Sequence, residues 1–469
     1  MGHSRTHLRR SLIRNYLALF LDRRLGIIFV LGFASGFPWA LIGSTLTAWL
    51  FDAGLTRTAI GALGSITMLY ALNFLWAPLL DRVRLPALGL LGQRRAWILL
   101  MQALLLLATL LLSLTNPAVS VFWIAAAGLL LASASSTQDV AIDAYRIEII
   151  GPGEPHRLTA ASAMTTAGWW TGFGLPGGLA LVLADLPGWE WSHVYQTLAL
   201  ILLGLILFTL WIPEPESNRD AEQRKDETRM REALGPTPAG RRTAWLLVTV
   251  VQPFAEFIRR NGLSLALAIL GFIVLFKIGE AFMGRMAIVF YREIGFSNTD
   301  IGMVSKFMGW GTMLVFTLLG GLLNVRFGIF RGLLIGGIAM ASTNLLFALL
   351  ALTGPQMWLF VFAVVADNFT TALSTVTFVA FISYLTSRVY TASQYALMAS
   401  LGNLSRTTLA AGSGMMVDGL GGNWALFFIL TTIMVLPSLI LLLWIRQALT
   451  ERLGAVFGRA RAAARQQSP

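Results

Sequence analysis

The chain contains no cysteine. Disulfide scaffolds, thiolate metal sites and a cysteine nucleophile are therefore excluded. Histidine is nearly as scarce: His3, His7, His156 and His193 are scattered without metal-ligand spacing, so no metal site is expected. No P-loop pattern occurs, so direct drive by ATP and a bound nucleotide cofactor are not expected. Charge is the third shortage. Only 12% of the 469 residues are charged, about half the share of an ordinary soluble chain. A soluble enzyme and a disordered tail protein are excluded with it.

What fills the space is apolar: 56% of the residues, arranged in runs long enough to cross about 30 Å of hydrocarbon. Polar breaks predict twelve spans, at 25–50, 57–79, 95–115, 119–142, 158–184, 191–212, 263–290, 299–323, 331–353, 357–386, 391–417 and 424–445. Lipid-facing backbone must satisfy its own hydrogen bonds, and these runs are too long for barrel strands, so the class is all-α polytopic.

The net charge of +12 would point to nucleic acid in a soluble chain. Its distribution removes that reading. Of the 35 Lys and Arg, 29 fall on the N-terminal segment, alternate loops and the C-terminal tail. The opposite loops hold two, Arg57 and Arg292. The asymmetry places both termini and the central loop in the cytoplasm. The basic N-terminus feeds an apolar run too long for a signal peptide, so the first span is expected to be retained.

The charged stretch Pro213 to Arg242 divides the chain. The expected organisation is a six-helix bundle at 1–212, a cytoplasmic linker at 213–262, a second six-helix bundle at 263–446 and a basic cytoplasmic tail at 447–469. Most of the linker reads as a solvated connection. Within it Ala244 to Asn261 is apolar on one side and ends in Arg259 and Arg260, as an interfacial helix does. Short basic turns follow span two (Asp81, Arg82, Arg94, Arg95) and span eight (Arg326, Arg331). That repeat in two six-helix halves is expected of major-facilitator transporters.

The charges left inside the spans are the candidates for function, because an ionised group at mid-membrane costs roughly 2.5–3.5 kcal/mol. Lys277 and Glu280 in span seven, Asp367 in span ten and Arg406 in span eleven fall near mid-depth. One reading is a buried ion-pair network that fixes helix packing. The other is a coupling and substrate site: Glu280 or Asp367 exchanges a proton, and Lys277 or Arg406 holds an anionic substrate group. Protonation and substrate then change which pairs form and bias the inward or outward state.

Span four ends with Ser135, Asp139, Asp143 and Arg146 on one helical face. Asp143 and Arg146, with Asp81 and Arg82 nearby in the basic turn, are candidate gate residues; a static charge cluster with Arg82 or Arg95 is the alternative. Gln138 and Asp139 lie deeper and are candidates for substrate contact, Asp139 also for proton coupling. Gly32 and Gly36 in span one, and Gly168, Gly172, Gly174, Gly177 and Gly178 in span five, predict close helix contact. Trp169 and Trp170, with Tyr70 and Asn73, form a candidate wall for stacking a sugar, against the alternative of packing or lipid contact. Asn368 and Gln394 complete the candidate binding residues.

The string Ser135–Glu148, SSTQDVAIDAYRIE, strongly resembles the signature of AmpG-type muropeptide permeases. The resemblance continues in order through GFASGFPWALIGSTLTAWL (32–50), NFLWAPLLDR (73–82), LFKIGEAF (275–282), VSKFMG (304–309), DNFTTALSTVTFVAFIS (367–383) and SQYALMASLGNLSR (393–406). It implies a major-facilitator permease in the inner membrane of Gram-negative bacteria, importing N-acetylglucosaminyl-anhydro-muramyl peptides on the proton gradient. The products feed wall recycling and in some bacteria signal β-lactamase induction. Thr137-Gln138-Asp139, Asp143, Arg146, Lys277 and Glu280 match family positions. Ser136 replaces a usual Ala, Asp367 a usual Glu, Thr370-Thr371-Ala372 lacks expected glycines, and Arg285 is an added charge. Related permeases handle siderophores or acetyl-CoA. The expected partners are therefore a small-molecule substrate, protons and membrane lipid, without nucleic acid, and the expected state is a monomer. A membrane enzyme would need larger outer loops than these.

Overall fold

A computed structural model describes residues 22–449, apart from 56–62, 64, 87–88, 118–119, 152, 185, 217–218, 235–236 and 238–242. Among the described residues the secondary structure is helical, with no strand. Six helices precede the linker: α1 (Arg23–Leu50), α2 (65–82), α3 (Gln93–Ser113), α4 (Val121–Ile149), α5 (Pro155–Ala184) and α6 (Trp191–Trp211). The linker adds α7 (Arg219–Leu234) and α8 (243–261). Six more follow: α9 (Leu263–Glu293), α10 (298–327), α11 (Ile329–Thr353), α12 (Met357–Leu385), α13 (391–419) and α14 (Trp424–Leu449).

Among the described residues, nine helices are long and apolar enough to cross a membrane: α1, α3, α4, α6, α9, α10, α11, α12 and α14. The remaining expected spans are occupied by α2, α5 and α13. The 30-residue α5 is long enough, but its Ser, Thr and Gly positions dilute its hydropathy. α2 and α13 are broken: Trp76 interrupts α2 before Ala77–Arg82, and α13 changes to a tighter turn at Leu409–Gly412.

Helix starts and breaks have local causes. Asp22 caps α1, its carboxylate accepting from the Arg24 backbone N–H at 2.9 Å. Pro38 lies inside α1, where it removes a backbone donor, and the helix widens over Leu41–Thr45 just after it. α9 is interrupted at Lys277, whose backbone (φ −101°, ψ 7°) leaves the helical region.

The predicted glycine contact joins α1 to α5. A Cβ on Gly36 would stand 2.0 Å from the Trp169 carbonyl oxygen, and one on Gly172 would stand 2.1 Å from that of Phe33. Only glycine permits this approach. One apolar core lies mainly among the first six helices and two mainly among the last six, and a smaller cluster joins Leu25, Ile28, Ile150 and Leu158 to Val325 of the second half.

Residues 22–24, 81–86, 89–95, 146–151, 153–157 and 209–214 gather at one end of the bundle, with 383–394 beside them. Arg24 bonds Glu154, Arg95 reaches the Leu210 carbonyl at 2.5 Å, and Arg23 lies over the Trp211 ring. This is the basic end.

Candidate functional site

Each half carries a polar cluster among its own helices. In the first half α1, α2 and α4 converge. Ser35 Oγ donates to Asp139 Oδ1 at 2.5 Å, and the Trp39 indole donates to the same carboxylate. Tyr70 donates to Ser135 Oγ at 2.6 Å, and Trp76 Nε1 to Thr137 Oγ1 at 3.0 Å. Gln138 Nε2 donates to the Ala34 carbonyl at 2.8 Å. Its Oε1 is buried and has no partner among the described residues. Asp139 pairs with no Lys or Arg among them.

In the second half the break in α9 turns Lys277 toward α12. Its ammonium donates to Glu280 Oε2 at 2.5 Å, Ser374 Oγ at 2.8 Å and Thr375 Oγ1 at 2.9 Å. Both side chains are largely buried, 8% and 13% exposed. Asp367 lies within electrostatic reach of Lys277 and Glu280, and Thr343 donates to it at 3.3 Å. Asn368, on the next step of α12, donates to Thr312 Oγ1 at 2.9 Å and to the Gly309 carbonyl at 3.4 Å.

An aromatic arc links the clusters. Tyr70 and Trp39 have ring centroids 4.2 Å apart, Trp39 and Trp169 6.1 Å, and Trp169 and Trp170 5.2 Å. Across the seam Trp310 Nε1 donates to the Trp170 carbonyl at 3.2 Å and its ring occupies the place a Cβ on Gly174 would take. Trp170, Phe173, Trp310, Met313, Ser305 and Asn368 line a cavity of about 810 Å³ between α5 and α10. The cavity lies in the second half of α5 and the first half of α10, away from the basic end. Its volume suits a ligand larger than a monosaccharide.

The basic end is shut. Asp81 caps α13 from the other half: Oδ1 accepts from the Ala392 N–H at 3.1 Å, and Oδ2 accepts from the Ser393 N–H at 2.9 Å and its hydroxyl at 2.6 Å. Fully buried Arg94 holds Asp81 in place at 2.7 Å and grips Glu148 at 2.6 and 3.0 Å. Arg146, also fully buried, pairs with Asp143 at 3.0 Å, donates to Ser383 Oγ at 3.0 Å in the other half and lies over the Tyr395 ring. The Asp143 carboxyl accepts from Tyr395. Ser400 Oγ donates to Asn73 Oδ1 at 2.9 Å, a further tie between halves.

Tyr70, Asn73, Gln138 and Asp139 thus lie in the first-half cluster and Lys277, Glu280 and Asp367 in the second-half one, while Trp170 and Asn368 line the cavity between α5 and α10 and Trp169 stands beside Trp170. Asp81, Asp143 and Arg146 lie in the shut end. Arg82 pairs with Glu227 of the linker, and Arg95 bonds the end of α6, so neither is the partner of Asp143 or Arg146. Gln394 stands apart: its amide bonds Pro253 and Glu256 of α8, and its oxygen accepts from Ser387 and Arg260. It anchors the linker rather than facing the cavity. The Arg406 side chain lies outside the described residues.

Sequence reasoning missed Ser35, Trp39, Ser374, Thr375, Glu148 and Trp310, and read Arg94 only as part of a basic turn. Hydroxyls and single Trp residues in apolar helices carry no periodic signal. Glu148 was visible as the last residue of the span-four string, three positions from Tyr145.

A model of the Major Facilitator Superfamily matches residues 28–291. The solved structure of the proton:xylose symporter XylE, bound to 6-bromo-6-deoxy-D-glucose, shares the fold with a TM-score of 0.61 at 14% identity. The likeness covers 91% of this chain and 94% of that one. Fold and family match define a major-facilitator transporter, not an enzyme. The anhydromuropeptide permease of Escherichia coli (strain K12) is 34% identical over 436 residues, 92% of this chain and 82% of that protein. The putative transporter AmpG 4 of Rickettsia conorii is 32% identical over 427 residues, 91% of this chain and 97% of that one. The chain belongs to the AmpG-type permeases of the major facilitator superfamily, and it is a multi-pass membrane protein.

Proposed function

We propose that the protein imports anhydromuropeptides across the bacterial inner membrane, coupled to protons, with both termini in the cytoplasm. The reading is carried by one juxtaposition: an aromatic arc and an ionic cluster flank the same seam. Sugar rings present apolar faces that stack on aromatic side chains, whereas the attached peptide carries carboxylates that suit Lys277. The shut basic end then corresponds to the outward-facing state. The halves 1–212 and 263–446 are the two rocking bodies, joined through 213–262. Asp139, Glu280 and Asp367 are the proton carriers to be tested, because desolvated carboxyls take up and release protons as their partners change. The imported sugar-peptides would enter wall recycling.

Purified protein in proteoliposomes decides it. Labelled N-acetylglucosaminyl-anhydro-muramyl peptide should accumulate when the outside is made acidic, and a protonophore should abolish accumulation. Uptake of a siderophore or an acetyl-CoA-like anion in its place would redirect the substrate. Uptake indifferent to the protonophore would remove proton coupling.

A further inference from the structure

The linker helix α7 reads RDAEQRKDETRMREAL, polar on every face. Such a helix has no apolar stripe by which to dock. It docks nevertheless. Gln223, Asp226 and Glu227 stand at i, i+3 and i+4, on one face. Gln223 is 2% exposed and its amide donates to the Val389 carbonyl at 2.9 Å. Asp226 Oδ2 accepts from the Tyr390 hydroxyl at 2.7 Å, and Glu227 pairs with Arg82. Arg82 ends α2 in the first half, while Val389 and Tyr390 connect α12 to α13 in the second. The linker therefore spans the seam at the shut end, through hydrogen bonds and an ion pair.

Beside this clasp lies a cavity of about 550 Å³ lined by Arg82, Arg84, Gln223, Arg224, Glu227 and Trp245, among others. Three guanidinium groups and one carboxylate are among its lining residues, with Arg82 paired to Glu227. The guanidinium fork matches phosphate oxygens in pairs. Arg84 belongs to the first half and Arg224 to α7, so an anion between them would tie α7 to the first half, while Gln223 and Asp226 hold the same helix to the second. The wall contributed by Trp245 continues into α8, where Leu246 and Val250 are exposed, which puts the cavity at the depth of lipid headgroups.

We propose that this cavity binds a phosphate-bearing anion, and that its occupancy fastens the linker across the seam and holds the basic end shut. The shared chemistry is a phosphate group, from a phosphoglycerol lipid headgroup or from a soluble phosphate compound.

The absence of cysteine makes the test direct. Spin labels at Leu90→Cys and Arg331→Cys, on the two halves, report the width of the basic end. The full chain is placed in nanodiscs of phosphatidylcholine alone, of phosphatidylcholine with phosphatidylglycerol, or of phosphatidylcholine with inorganic pyrophosphate added. Occupancy should raise the closed-to-open ratio at least about fivefold, the lower range of an allosteric coupling. A response to phosphatidylglycerol alone identifies the lipid; a response to pyrophosphate identifies the soluble source. The double substitution Arg84→Gln with Arg224→Gln should abolish the response. Arg229→Gln, which removes one positive charge from an exposed position of α7 outside the cavity, should leave it intact. No response in either arm, or a response that survives the double substitution, overturns the proposal.

Discussion

The two halves place charge in opposite ways. At the centre of the first half Asp139 is met by neutral donors, Ser35 and Trp39. At the centre of the second half the carboxyls of Glu280 and Asp367 gather around the ammonium of Lys277. At the basic end the pattern reverses. There the first half supplies the charges, Asp81, Arg94, Glu148 and Arg146, and the second half answers with backbone N–H groups and hydroxyls of Ala392, Ser393 and Ser383. A carboxyl ringed by neutral donors gains or loses a proton without breaking an ion pair. One held by an ammonium does not. The difference separates a group suited to carry a proton from a group suited to hold an anion-exchanging cation.

The harshest way to break that contrast is Lys277→Met. It leaves Glu280 and Asp367 without their shared cation in a largely buried site, and removing one partner of a buried pair costs about 3–5 kcal/mol. Uptake in proteoliposomes should fall by roughly 100-fold or more, and the folded yield should drop as well. Adding Glu280→Gln should restore folded yield without restoring uptake. If uptake returns too, Lys277 serves packing alone.

Next in size is Asp139→Asn, which keeps the shape and the acceptor for Ser35. Folding should change by less than about 1.5 kcal/mol, the scale of a single hydrogen bond. Concentrative uptake driven by an imposed pH gradient should be lost, while exchange of internal for external substrate persists. The same measurement on Glu280→Gln and Asp367→Asn sharpens the comparison. If one of those variants, rather than Asp139→Asn, exchanges without concentrating, the proton moves through the second half.

The legible parts of this molecule were those with a period or a charge. Apolar runs gave the order of the nine helices that, among the described residues, are long and apolar enough to cross a membrane, and the glycines of α1 and α5 marked each as a helix that packs closely. The charged candidates at mid-depth, Asp139, Lys277, Glu280 and Asp367, were found by the cost of placing charge in hydrocarbon. What was hidden was pairing across the seam. Nothing in a linear string says that Asp81 caps a helix more than 300 residues on, or that Trp310 seats against Gly174. The linker was misjudged for a related reason: a helix polar on all sides reads as solvated, and only the positions of Val389, Tyr390 and Arg82 give it a place to dock.

The reversal at the basic end predicts unequal effects of equivalent cuts. Asp81→Asn weakens three bonds to α13 and frees Arg94 from one of its two acidic partners, whereas Ser393→Ala removes one hydroxyl contact. A thiol placed behind the gate, as Thr375→Cys, should react with a basic-side maleimide roughly tenfold faster in Asp81→Asn, about 1.4 kcal/mol of lost closure. Ser393→Ala should change the rate by less than about threefold. Equal rates in the two variants would mean that the charge of Asp81 adds nothing to the latch.

The mildest test concerns Glu154, between α4 and α5 at the basic end. Its carboxylate receives Arg24 at 3.3 and 3.2 Å and is paired with Arg157. The hydrogen bond from Arg157 and then that from Arg24 hold its pKa below the ordinary value of 4.5. A carboxyl with a lowered folded pKa contributes stability above its unfolded value and loses it as the pH falls through the folded one. The side chain is 24% exposed, so the contribution is screened and amounts to less than about 1 kcal/mol. Glu154→Gln should therefore melt slightly below the unaltered protein near neutral pH, and the gap should close once the pH drops well under 4.5. In the second half Arg331 forms no ion pair among the described residues, so Arg331→Gln should show no gap at either pH. A gap that persists in acid would assign Glu154 a packing role.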